Sequence, residues 1–440
     1  MSDFTTGRNN PLENVSSAEL NTLFSSVASA FDISWLTEPS GSNRIQKLWS
    51  RQDGLATNQI AILGDALTRL TPLNPGWVIQ RVNSIKAESA ENRKGDLFEL
   101  LGLSLFAVNG QMVTGAAKGK PGYDGTIEFS SGASALISLK DFGTSSHRKV
   151  FERAAAQVEQ EIIAALHELR ASGLGIKISA SRYPLQADWE KLRRSIRNVV
   201  SGWLADPQPR QIGTNWAITR QTLLADGAGF ADGHCSYSVM MLAPFHPNEQ
   251  SNIESKIEDA CTNLSRKART SGAATARLLL IRIPETASPA ACTACVEQWL
   301  RGRPQSGVDG VILYQPSVAA PSTTAPSGIV HFIGLVTGPD FLRWRPAIGL
   351  IQARVFIGLC TNKPTKLFGP DGSTFDDQYV YQRGQIYTRA EAKADGSIVG
   401  TMSNPAPGIL THTVLRIPGQ PGECIISGKF PPDSDLSLYS

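Results

Sequence analysis

Apolar residues change their spacing twice along the chain. Up to about residue 90 they recur at helical intervals. Leu20, Leu23, Phe24 and Val27 keep one face, and Ser17 or its neighbour caps the stretch. A second helical stretch covers 60–70, and Pro72, Pro75 and Gly76 interrupt it. From 92 to about 205 helical and strand-like runs alternate. A helix over 93–108 ends at Asn109-Gly110. Short strands are predicted at 111–114, 123–129 and 133–140. A long helix over 148–170 keeps Phe151, Ala155, Val158, Ile162, Leu166 and Leu169 on one face. A strand at 176–181 and a helix at 187–203 give the order α-β-β-β-α-β-α.

The α/β style continues through 212–316, with strands expected at 216–219, 237–242, 278–283 and 311–314. Helices are expected at 252–268 and 290–300. The run 317–328 is rich in Pro, Ser, Thr and Ala and reads as a linker or long loop. Beyond it, many Gly and Pro residues separate short β-type runs such as Val355-Phe356-Ile357 and Val414-Leu415-Arg416-Ile417. The expected organisation is a helical N-terminal region (1–90), an α/β domain with an extension (91–316) and a β-rich C-terminal domain (329–440).

Composition adds boundaries to this picture. At 440 residues the chain is too long for one ordinary core. A hydrophobic share of 41% and a charged share of 18% exclude global disorder. A net charge of +3 confines any nucleic-acid surface to a local patch. No apolar run approaches the roughly 18 residues that span a bilayer. Met1 to Thr6 lacks a basic segment followed by an apolar one, so no signal peptide is expected. Six scattered cysteines fit reduced thiols, and the expected location is cytoplasmic.

The candidate chemistry lies in the second and third strands of the 91–205 region. Asp124, Thr126 and Glu128 share one face, while Tyr123, Ile127 and Phe129 share the other. In the next strand Leu136, Ser138 and Lys140 oppose Ala135, Ile137 and Leu139. Matching the apolar faces matches the polar ones too. If Ser130-Ser131-Gly132 is the loop, Asp124 sits opposite Ser138 and Lys140 lies one pair further along, with direct pairs about 5 Å apart. Glu99 is the only ionisable residue from Leu97 to Val108, an otherwise apolar helix. Burying it calls for a metal, a lysine or a strong donor nearby.

Gly95-Asp96-Leu97-Phe98-Glu99, Gly122-Tyr123-Asp124-Gly125 and Leu136-Ile137-Ser138-Leu139-Lys140, in that order, resemble the PD-(D/E)xK nuclease superfamily, nearest to Mrr-like restriction endonucleases. The resemblance covers about 91–183. It implies a restriction-endonuclease-like mixed sheet flanked by helices. It also implies hydrolysis of DNA phosphodiester bonds with Mg²⁺ or Mn²⁺, in restriction or anti-phage defence. By the same resemblance Asp124 is the main metal ligand, Glu99 binds directly or through water, and the Leu139 carbonyl is the third ligand. Lys140 positions the attacking water. DNA is the implied partner. A partner protein of the same defence system and self-association stay open, and no membrane is expected.

One position departs from the family pattern: its second acid falls at Ser138, whose hydroxyl is a poor Mg²⁺ ligand. Glu128 lies about 13 Å along the strand from Asp124, too far to replace it. Glu152 or Glu159 on the following helix are the other candidates. The departure keeps open a catalytically degenerate fold that binds nucleic acid or a protein without cutting. Plainer readings stand beside each residue: a turn aspartate, a surface lysine, a structural ion pair for Glu99. Arg148 and Gln157 are either phosphate contacts or a solvated helix face. Lys191, Arg193, Arg194 and Arg197, with Arg182 before them, make a basic helix suited to phosphates or to solvent. Cys292-x-x-Cys295 is half a zinc motif without its second half, and His234-Cys235 has no catalytic context.

Overall fold

The structure is a computed structural model. It describes residues 12–337 apart from 13, 39–42, 52–53, 88–89, 109–110, 117–122, 170–173, 223–236, 269–274, 286 and 321–326. It also describes residues 4–5, 338, 341, 358–360, 366–367, 377–392, 398–399, 410–414, 422–429 and 438.

The N-terminal region is helical, as its spacing predicts. It comprises α1 (Ser17–Phe31), α2 (Ile33–Leu36), α3 (Arg44–Ser50), α4 (Gly54–Leu73) and α5 (Pro75–Ala87). Ser16, the neighbour of Ser17, accepts a hydrogen bond from the Glu19 amide and starts α1, as expected. Leu20, Leu23, Phe24, Val27 and Phe31 are its buried stripe. That stripe lies on α4, where Gly64 is required: a Cβ there would sit 2.3 Å from the Leu23 carbonyl oxygen. α4 runs through Pro72, and Pro75 opens α5.

Next come α6 (Ala90–Ser104), β1 (Met112–Gly115), β2 (Gly125–Glu128) and β3 (Ser134–Asp141). These strands form an antiparallel meander. Then follow α7 (Ser146–Leu169), β4 (Leu174–Ala180), α8 (Gln186–Ala205), β5 (Arg210–Ile212), β6 (Trp216–Thr222) and β7 (Tyr237–Pro244). The chain continues through α9 (Glu249–Ala268), β8 (Thr275–Arg282), α10 (Pro289–Gly302), β9 (Gly310–Ala320) and β10 (Ser327–Thr337). β11 (Gly358–Cys360), β12 (Lys366–Leu367), β13 (Gln378–Ala392), β14 (Ile398–Val399), β15 (Leu410–Val414) and β16 (Gly422–Lys429) complete it.

Two mixed sheets organise these elements. The first has the order β1-β2-β3-β8-β9-β10-β11, with β12 also on β9; the second runs β15-β16-β13-β7-β4-β6-β5, with β14 on β13. The expected order of elements is present, but its closure differs. The strand expected at 176–181 is β4, and it pairs with β6 and β7 in the second sheet. The place beside β3 belongs to β8, which runs parallel to it from Ser134↔Thr275 to Asp141↔Arg282. The helix from Arg148 goes with β4: Phe151, Ala155, Val158 and Ile162 of α7 join the core of the second sheet.

Burial explains the choice. β8 is buried from Ala276 to Arg282. Ala276, Leu278 and Leu280 face α6 and the N-terminal helices, while Leu279 and Ile281 face α9 and α10. A central parallel strand covered on both faces needs such a continuous apolar run.

Two further differences concern the C-terminal part. The run 317–328 is no free linker: β9 and β10 extend into it as a hairpin, with Ala319 opposite Gly328. Beyond it the strands divide, β10 and β11 joining the first sheet and β13 to β16 the second. Residues 355–357 and 415–417 lie outside the described residues. No helix among the described residues is long and apolar enough to cross a membrane.

Candidate active site

The site begins with the hairpin of β2 and β3. Phe129 and Ala133 close its loop (Phe129 N to Ala133 O, 2.9 Å), and Gly132 takes the left-handed backbone (φ 82°) that the turn needs. The register runs Gly125↔Ile137 to Glu128↔Ser134, which carries Asp124 opposite Ser138, as the loop length predicts. Asp124 is pinned on both sides. Its N–H donates to the Ile137 carbonyl at 2.8 Å, and its carbonyl accepts from the Ala116 N–H at 2.9 Å.

Two glycines bring α6 down onto this hairpin. A Cβ at Gly125 would meet Leu103 of α6 at 2.6 Å, and one at Gly102 would meet Leu139 at 3.2 Å. The Gly after Asp124 thus opens β2 and serves packing, with Leu103 of α6 against it. The close approach delivers Glu99 to the same end of the sheet as Asp124 and Lys140.

Burial pushes the Glu99 carboxyl up to about 7, the largest influence on it. The Arg81 guanidinium opposes this, Asp124 and Asp96 add to it, and Lys140 opposes it. Glu99 thus lies within the field of both other expected site residues. At Asp124, Oδ2 accepts from the Leu139 amide N–H at 2.6 Å and from the Ser138 hydroxyl at 3.2 Å. It is the N–H of Leu139 that meets Asp124. Lys140 is partly buried and makes no ion pair among the described residues.

Arg81 of α5, a residue outside the expected site, also enters it. Its Nη2 lies 2.7 Å from Glu99 Oε2, out of line for a hydrogen bond, and its Nη1 holds Asp96 Oδ1. Ser84 donates to the other Asp96 oxygen. Arg81 also lies 5.2 Å from the Trp77 ring centroid. A sequence signal existed. Arg81 shares the buried stripe of Trp77, Val78, Val82 and Ile85, and a cation on such a stripe demands buried acids. Asp96 and Glu99, three residues apart on α6, meet that demand.

The other candidates lie elsewhere. Glu128 is exposed at the far end of β2. Glu152 pairs with Arg148 at 2.7 Å, and Arg148 also reaches Glu285 at 2.8 Å. Glu159 is buried under the second sheet and accepts from Tyr237 (2.8 Å) and Tyr381 (2.5 Å) hydroxyls. Neither glutamate supplies the missing second acid. Among the described residues no cluster of three or more His, Cys, Asp or Glu could hold a metal ion.

The basic face of α8 has partners within the chain. Arg193 and Arg197 reach Glu161 at 3.8 and 3.2 Å, and Arg197 reaches Glu168 at 3.1 Å. Arg194 pairs with Glu190, Arg182 with Asp188, and Gln157 accepts from Arg193. Cys292 is buried on α10. Burial pushes the Cys295 thiol up to about 11 and the Cys261 thiol up to about 12. His234-Cys235 lies outside the described residues.

No protein-family model matches the chain, and searches of curated proteins and of solved structures also return no match.

Proposed function

We propose that the chain is a metal-dependent endonuclease that hydrolyses DNA phosphodiester bonds through Asp124, Glu99 and Lys140. The observation that carries the reading is the convergence at one sheet end of residues from α6, β2 and β3, three segments that are separate in sequence. The donor set suits Mg²⁺ or Mn²⁺. Such ions accept oxygen ligands, keep several waters, and need only one or two carboxylates from the protein. Asp124 and Glu99 would hold the ion, and the Leu139 carbonyl is the third candidate ligand. When bound, the ion supplies charge stabilisation for the phosphoryl group and acidifies water at neutral pH.

The protein's own groups do the rest. Lys140, which makes no ion pair among the described residues, would orient the attacking water and offset charge on the phosphate. Ser138 and the Leu139 amide fix the Asp124 carboxylate before any ligand arrives. A role in restriction or anti-phage defence rests on family resemblance alone.

A second reading has its own observation. Ser138 stands where the family carries an acid, and Arg81 occupies one side of Glu99. A nuclease-like fold that binds nucleic acid or a protein without cutting would look like this. Incubating purified protein with plasmid DNA in Mg²⁺ or in EDTA separates the two. Mg²⁺-dependent nicking supports the enzyme. DNA retained but intact at every Mg²⁺ concentration favours the binding module.

A further inference from the structure

We propose that Arg81 and Ser138 are positioning residues that leave each site carboxylate one ligand oxygen, so that the site selects Mg²⁺ or Mn²⁺ over Ca²⁺. The inference rests on the reading of Asp124 and Glu99 as metal ligands. At Asp124 both protein donors, the Ser138 hydroxyl and the Leu139 N–H, land on Oδ2. At Glu99 the Arg81 guanidinium stands at Oε2. Asp124 Oδ1 and Glu99 Oε1 take no hydrogen bond among the described residues.

The tied oxygens are held firmly. Arg81 is only 8% exposed, and its second nitrogen grips Asp96, which Ser84 holds in turn. Ser138 is 7% exposed on the strand directly opposite Asp124. A cation that chelates either carboxylate through both oxygens must displace one of these donors. Ca²⁺ takes six to eight oxygens and commonly binds a carboxylate through both, whereas Mg²⁺ takes six in strict octahedral order and is content with single oxygens and water. The displacement therefore falls on Ca²⁺. It also gives Ser138 a task that an acid there could not perform, since a second carboxylate would repel Asp124 rather than donate to it.

The test uses the full-length chain and Mn²⁺ binding followed by electron paramagnetic resonance, with Mg²⁺ and Ca²⁺ as competitors. The wild type should release Mn²⁺ to Mg²⁺ more readily than to Ca²⁺. Ser138→Ala frees Asp124 Oδ2 of one donor and should reduce that preference about fivefold, the worth of one hydrogen bond. Arg81→Lys keeps a buried cation for Asp96 but loses the fork, and should reduce the preference in the same direction. Asp124→Asn should remove the Mn²⁺ signal, which places the ion. A purely structural role for Arg81 and Ser138 would lower the melting temperature and leave the Mg²⁺/Ca²⁺ ratio unchanged, which overturns the inference alone. A wild type that binds no Mn²⁺, or an Asp124→Asn variant that still binds it, removes the metal reading and this inference together.

Discussion

The α7–α8 layer on the second sheet and the α5–α6 end of the first handle charge differently. In the second sheet charge is matched locally: Glu159 lies under two tyrosine hydroxyls, and Arg193 and Arg197 of α8 face Glu161 and Glu168 of α7. In the first sheet unlike and like charges crowd one end. One guanidinium serves two carboxylates, and Glu99 is pushed up to about 7. Matched pairs steady a fold, whereas imperfect matching in a partly exposed cluster is where added ligands gain most. Under the proposed function, this contrast would put the chemistry in the first sheet and the support in the second.

The sharpest way to break this contrast is Asp124→Asn. It should lower Mg²⁺-dependent plasmid cleavage by about a thousandfold or more, with an unchanged circular dichroism spectrum. Lys140→Ala should also abolish cleavage while sparing Mn²⁺ binding. Retained cleavage in both variants would move the chemistry elsewhere. The matching change in the second sheet is Glu159→Ala. Two buried tyrosine hydroxyls lose their acceptor, and urea denaturation should show a loss of about 3 kcal/mol with the Mg²⁺ requirement of cleavage unaltered.

A subtler difference concerns pH. Because the folded-state pKa of Glu99 lies above its ordinary 4.5, the native state binds its proton more tightly than the unfolded chain does. Without a divalent ion, that contribution is fully present below pH 4.5, fades as pH rises to about 7, and is absent above. Glu99→Gln should flatten the slope of metal-free stability across that window. A slope identical to that of the wild type would show that Glu99 is not the titrating group. Smallest of all, Arg197→Ala on α8 should change stability by less than about 0.5 kcal/mol, since exposed pairs contribute little. It should leave DNA affinity nearly constant in a filter-binding titration. A large drop would make α8 a phosphate-binding face and blur the contrast.

The parts legible in the sequence were those fixed over short distances. The register of Asp124 against Ser138 followed from one three-residue loop and matching apolar faces. The stripes of α1 and α7 followed from periodicity. Closure of the first sheet depends on which distant strand reaches β3, and local pattern alone did not decide it. The pattern still held a clue. β4 alternates, with Lys177 half-exposed between buried Ile176 and Ile178, as suits a strand open on one face. Ala276 to Ile281 of β8 is apolar except at Arg277, whose N–H donates to buried Asp309. Arg81 was missed for a related reason: its partners lie on the next helix, and only the buried stripe of α5 announced them.

The pairing of β3 with β8 also sets a timetable. The 133 residues from 142 to 274 separate the two strands, and they include all of α7 to β7. At roughly 5 to 20 residues per second, a ribosome needs roughly 7 to 27 s to make them. Through that interval β3 presents an unpaired edge, a template for misplaced strands. The long loop that must close also predicts slow folding. Lys140 gains its β8 neighbour, Ile281, only when that strand arrives. The nascent chain thus carries an open β3 edge until well past its midpoint, and each sheet waits on still later strands, β9 to β12 for the first and β13 to β16 for the second.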